Sequence, residues 1–139
     1  MGKLLERLSD IARRAGDLTP LREPIRRILW EGNRDRALAG TDAEGRAFAP
    51  LAASTLKHRD GSGPPQAPHG AGSRVVTDYV VDVQAGPGRL SFTGSWPGLA
   101  WMIYHIRGTR RMPRRDPLGF TRSTLDRART LLREHVMKK

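Results

Sequence analysis

"RVVTDYVVDVQAGPGRLSFTGSW", residues 74–96, decides the fold class. From Arg74 to Gln84 the side chains alternate. Val75, Thr77, Tyr79, Val81 and Val83 fall on one face, and Val76, Asp78, Val80 and Asp82 on the other. β-Branched and aromatic residues dominate, as a pleated, half-buried strand requires. "AGPG", residues 85–88, reads as a turn, and "RLSFTGSW", residues 89–96, as the returning strand of an antiparallel hairpin. Asp78 and Asp82 lie on one strand face with no evident third partner, which reads as a solvated face and not as a carboxylate pair for catalysis.

Helical patterns flank this hairpin. Residues 3–15 place Leu4, Leu5, Leu8, Ile11, Ala12 and Ala15 at helical spacing, with Gly16 as a stop. So short a helix is marginal in water and needs something to pack on. Residues 1–18 are therefore expected to form an N-terminal helical arm. A second helix should start near Thr19-Pro20 or Glu23-Pro24, with Thr19 as a candidate cap, and end at Gly40. Its buried stripe should hold Ile25, Ile28, Leu29, Arg36 and Ala37, the arginine covering the stripe with its stem. At the other end, "TRSTLDRARTLLREHVMKK", residues 121–139, reads as a helix capped by Thr121 or Ser123. Its stripe is Leu125, Ala128, Leu132 and Val136, and Lys138 and Lys139 sit at the negative end of its dipole. "LAWMIYHIRG", residues 99–108, is apolar nearly throughout, and periodicity leaves a third strand and a short buried helix both open.

Between the second helix and the hairpin, Asp42–Gly45 reads as a turn, with Phe48 and Leu51 as anchors for a polar segment. Residues 60–73 form a loop in which seven of the twelve residues 61–72 are Gly or Pro, a composition that predicts no regular element. Loops this long in small domains are functional or disordered, and this one, like the arm, is expected to order on assembly. The prediction is a single α+β domain over residues 1–139, a small antiparallel sheet flanked by N-terminal and C-terminal helices.

Composition narrows the function. The chain has no cysteine, which excludes disulfides and thiolate metal sites and allows a reducing compartment. No apolar run approaches the roughly 18 residues of a membrane span, and the charged N-terminus lacks the apolar block of a signal peptide, so a soluble, intracellular product is expected. His58, His69, His105 and His135 are scattered over different elements, without metal-ligand spacing. Neither phosphate-loop nor nucleophile-elbow contexts occur. Neither a cofactor nor catalysis is expected.

The net charge of +11 comes from 25 Lys plus Arg against 14 Asp plus Glu, and it predicts an acidic partner, nucleic acid or protein. Only four of the basic residues are lysines; the rest are arginines, whose rigid donor fork suits carboxylates and phosphates. Five of them, Arg107, Arg110, Arg111, Arg114 and Arg115, crowd into residues 107–115. A solvated loop, a nucleic-acid clamp and a subunit contact are the three readings. The segment has no interleaved aromatics for base stacking. A subunit contact would set the arginine forks against carboxylates such as Asp42, Glu44, Asp78 and Asp82 on a neighbouring copy.

An ordered set of short motifs runs through residues 20–136. An acidic-Gly turn (Asp42, Gly45) is followed by Phe48-x-Pro50-Leu51, Ser54-Thr55 and a basic stretch, Lys57 to Arg59. Then come a Gly-to-strand entry (Gly70 to Val75), His105-x-x-Gly108, and Pro113-x-Arg115-Asp116-x-Leu118-Gly119 before the last helix. This order resembles the phage virion morphogenesis family, the tail-completion proteins of tailed bacteriophages; Phe48 stands where that family usually has tryptophan. The resemblance implies a structural virion protein, made in the host cytoplasm, that completes the head-proximal end of the tail and helps join head to tail. It also implies a ring, commonly hexameric, of copies of itself. Its other partners would be tail terminator, tail tube or head-connector proteins, with duplex DNA passing through the lumen without specific binding. A free-standing basic nucleic-acid-binding protein is the alternative.

Overall fold

The computed structural model describes residues 2–138; Lys139, expected at the last helix's dipole end, lies outside them. Along the chain run α1 (Gly2–Gly16), a 3-10 turn (Thr19–Leu21), α2 (Arg22–Ala39), α3 (Ala53–His58), a 3-10 turn (Gly70–Gly72), α4 (Arg74–Thr77), β1 (Val80–Gly86), β2 (Arg89–Ser95), α5 (Met102–Arg107) and α6 (Arg122–Met137). The architecture is the expected α+β, with terminal helices flanking a two-stranded antiparallel sheet.

A two-stranded ribbon is not stable alone and has to pack on a helix. Here β1 lays Val81 and Val83 against α2, whose Ile25 and Leu29 are fully buried. Each such side chain contributes about 1.5–3 kcal/mol. The register runs from Val80↔Ser95 to Gly86↔Arg89, closed by Pro87-Gly88. Val80, Asp82 and Gln84 face solvent, as the alternation predicts. On the partner strand Phe92 meets Phe120 edge-on at 5.2 Å, which ties β2 to the start of α6. Thr121 caps α6 by accepting the amide hydrogen of Thr124.

The first four residues of the quoted stretch depart from the prediction. Arg74–Thr77 form one helical turn, so Val75 and Val76 are both buried instead of facing opposite ways. The Val75 carbonyl shows why. It accepts the Trp96 indole N–H at 2.8 Å and the Asn33 amide at 3.3 Å, leaving no acceptor for a ladder. Three other expectations are corrected. Thr19 caps nothing; its own amide donates to Asp17 Oδ1. Residues 60–73 include a regular 3-10 turn and are pinned by the buried Gln66 and Ala67. Ile28 is only half-buried, and the α2 stripe is completed by Asn33. Arg36 is buried as expected, donating to the Thr41 carbonyl at 2.9 Å and to Asn33 Oδ1 at 3.0 Å. Desolvation pulls its pKa down to about 10.

Candidate functional site: the arginine loop and its seat

α5 settles the open reading of the apolar stretch as a helix. Only Met102 is buried in it; Trp101, Ile103 and Tyr104 are exposed. The helix stops at Gly108, whose φ of 72° turns the chain back so tightly that a Cβ would sit 2.9 Å from the Arg114 amide. Thr109 and Met112 then exchange backbone hydrogen bonds at 2.8 and 3.3 Å, and the turn between them carries Arg110 and Arg111 at its tip.

The five arginines are not equivalent. Arg115 is buried, at 3 % exposure. Its Nε donates to the Ala49 carbonyl at 2.7 Å and its Nη2 to the Pro50 carbonyl at 2.8 Å. The Arg115 amide donates to the His105 carbonyl at 2.8 Å, and Gln66 Nε2 donates to the Arg115 carbonyl at 2.6 Å. Burial lowers the guanidinium pKa. Arg115 is therefore removed from the predicted interface: it clamps residues 49–50, 66, 105 and 115 together and offers no donor fork to a neighbour. Arg114 is exposed but pairs with Asp116 at 2.6 Å. Arg107, Arg110 and Arg111 remain exposed and without a carboxylate within ion-pair distance among the described residues.

The acidic residues are also spoken for locally. Asp42 Oδ1 accepts the amide hydrogens of Glu44 and Arg46, both at 2.9 Å, and Gly45 closes the turn at φ 83°. Arg46 reaches Asp42 at 3.2 Å and Glu44 at 2.7 Å. Burial pushes the Asp42 carboxyl up, but the amides of Arg46 and Glu44 and the Arg46 charge outweigh it and hold the pKa below the usual carboxylate value. Asp42 and Glu44 line the same cleft of about 370 Å³ as Arg114 and Asp116. Asp42 and Glu44, expected as interface carboxylates, are thus already balanced by the local Arg46, and Arg114 of the arginine loop lines their cleft. Asp78 is likewise paired, with Arg74 at 2.9 Å.

The remaining motif residues gather around this clamp. Phe48 lies under the Arg36 guanidinium, 5.7 Å from its ring centre. Gly119 packs on the acidic turn, where a Cβ would lie 3.0 Å from the Ala43 Cβ. Pro50, Leu51, Thr55, His105 and Arg115 share a second cleft of about 380 Å³ with Arg59 and Arg111. The sequence pattern missed Gln66, a lone amide among prolines that gives no local sign of burial. It also missed the exposure of Trp101 and Tyr104, which a run of apolar residues hides.

His105 is part-buried, and its Nδ1 has no hydrogen-bond partner. Burial first, and the Arg115 charge second, lower its pKa below 6.5. The unfolded chain then takes up the proton before the folded one, so this contribution to stability is complete above pH 6.5 and is lost as pH falls through the folded value. Denaturation midpoints measured from about pH 7.5 to 5 should fall towards acid, and His105→Asn should flatten that slope. An unchanged slope in the variant would place the titration elsewhere.

His58, His69 and His135 lie apart from this seat. His135 Nε2 donates to the Asp17 carbonyl at 2.8 Å, and His69 stands 3.5 Å from Asp60. Among the described residues no group of three or more metal-ligating side chains converges, and no helix is long and apolar enough to cross a membrane. In comparisons with protein-family models, curated proteins and solved structures, nothing matches the chain.

Proposed function

We propose that the chain is a structural virion subunit that assembles as a ring, completes the head-proximal end of a phage tail and helps join head to tail. One observation carries this reading. The two halves of the family-like pattern, residues 42–55 and 105–119, are far apart in sequence yet close on one another through Arg115 and Gly119. A pattern that is spatially one unit is what a shared fold requires, and it supports the resemblance. The loop it seats presents Arg107, Arg110 and Arg111 outward. These free guanidinium forks suit carboxylates on the next copy or on a terminator, tube or connector protein, where charge complementarity selects the partner and speeds encounter. A conduit must release DNA, and phosphate contacts multiplied around a ring would hold it.

One observation favours nucleic-acid binding instead. Trp101 and Tyr104, at 40 % and 57 % exposure, stand about two turns and about one turn before Arg107 and supply the stacking surfaces that the loop lacks. Affinity for duplex and single-stranded oligonucleotides across a salt series separates the two. The virion reading expects dissociation constants weaker than about 100 μM at physiological salt, beyond ordinary non-specific binding. Sub-micromolar binding with a steep salt slope, lost in Trp101→Ala or Tyr104→Ala, would establish the other.

A further inference from the structure

Three guanidinium groups share one cleft without a counter-ion. Arg59, Arg111 and Arg115 line the cleft of about 380 Å³, no acidic side chain lines it, and none of the three has a carboxylate within ion-pair distance among the described residues. Asp116 follows Arg115 in the chain but lines the other cleft, paired with Arg114.

Two of the three charges are held in place. Arg115 is fixed by the Ala49 and Pro50 carbonyls, and Arg59 Nη1 and Nη2 donate to the Gly63 and Pro64 carbonyls at 2.7 and 2.8 Å. Carbonyls orient a guanidinium but carry no net charge, so neither arginine is neutralised. Both forks also have donors to spare, since Arg115 Nη1 and Arg59 Nε make no hydrogen bond among the described residues. Arg111 comes from the Thr109–Met112 turn and is exposed. His105 lines the same cleft and senses the positive field: after burial, the Arg115 charge is what lowers its pKa.

The rest of the wall is apolar. Pro50, Leu51, Ala52, Pro65, Met112 and Pro113 make up six of the eleven lining residues, so a bare phosphate would give up hydration against carbon. A ligand that suits both parts carries one carboxylate on an apolar body. Thr55, whose hydroxyl makes no hydrogen bond among the described residues, adds a neutral donor and acceptor for an amide beside it. We infer that this cleft binds the C-terminal residue of a partner polypeptide, with the carboxylate on the forks of Arg59, Arg111 and Arg115 and the apolar side chain against Leu51, Met112 and Pro113. Donors that are already fixed lose little freedom on binding, and the cleft has the size for a chain end, not a helix. The inference holds whether or not the chain forms rings.

N-Acetyl-leucine is the probe, a small model of an apolar chain end. Acetyl-leucinamide, octanoate and inorganic phosphate are compared with it at about 0.15 M salt, where exposed charge is screened. Followed through the arginine Nε–H NMR signals of the full chain, acetyl-leucine should saturate with a dissociation constant on the order of 1 mM, ordinary for so small a ligand. The amide should bind at least about tenfold more weakly, for want of the charge-assisted bonds. Arg111→Gln, on the exposed turn, should weaken acetyl-leucine about tenfold, and Thr55→Glu, which puts a carboxylate into the cleft, should abolish binding. Arg107→Gln removes the same charge outside the cleft and should change nothing. No saturation by acetyl-leucine, equal binding of acid and amide, or equal loss in Arg107→Gln and Arg111→Gln would overturn the inference. Phosphate binding tighter than acetyl-leucine would make the cleft a phosphate site, and octanoate binding as well as acetyl-leucine would make it a site for free acids; either result removes the polypeptide end as its ligand.

Discussion

Arg115→Met is expected to lower the midpoint of thermal unfolding by about 10 °C, the shift that follows from a loss of about 3 kcal/mol in a domain of this size. The loss is that of the two charge-assisted bonds to the Ala49 and Pro50 carbonyls, each contributing about 1.5–3 kcal/mol. Methionine keeps the stem and its packing but leaves both part-buried carbonyls without a donor. Lysine should recover only part of the loss, because a single ammonium cannot span two carbonyls as the planar fork does. Arg110→Glu and Arg111→Glu, at the exposed tip, should stay within about 0.5 kcal/mol of the wild type. Equal midpoints for Arg115→Met and Arg110→Glu, read by calorimetry, would mean that the clamp is absent.

A second large effect is expected at Gly94, on β2. A Cβ there would clash with the Tyr79 hydroxyl and ring. Tyr79 lies across the strand at that point and packs on Trp96 with ring centres 4.8 Å apart. Trp96 in turn holds the Val75 carbonyl. Gly94→Ala must push the buried tyrosine aside and should cost about 2–3 kcal/mol, in the usual range for overpacked cores. If the clash is the cause, the two sites are coupled. Once Tyr79→Leu has removed the ring, adding Gly94→Ala should cost little, so that the double variant is no less stable than Tyr79→Leu alone. Strict additivity in denaturant titrations would show that the glycine serves the strand in some other way.

Both sites show what the sequence can and cannot reveal. The hairpin from Val80 onward, the C-terminal end of α2 and the stripe and cap of α6 are legible because their signals are local: alternation, a Gly40 cap, a threonine at the helix start. The turn Arg74–Thr77 is not, since its β-branched residues favour a strand, and only the distant donors Trp96 and Asn33 make a helical turn the better use of the Val75 carbonyl. Counting arginines treats Arg115 and Arg110 alike. What separates them is where the Ala49 and Pro50 carbonyls come to rest, some 65 residues away in sequence. Asp42 and Glu44 were legible as a turn, but their neutralisation depends on which way Arg46 folds back. The arm's leucines read as a face that needs a partner, and within one chain it finds none among the described residues beyond the contacts at its base.

The proposed ring is one whose outward arginines meet carboxylates of adjoining protein. Negative-stain class averages of the purified wild type and of Arg107→Glu/Arg110→Glu/Arg111→Glu at matched concentration test it most directly. Closed rings with an open lumen are expected for the wild type, and single chains of unchanged thermal stability for the variant. Wild-type particles that are single chains at every concentration, or rings that form equally well with the charges reversed, would contradict it.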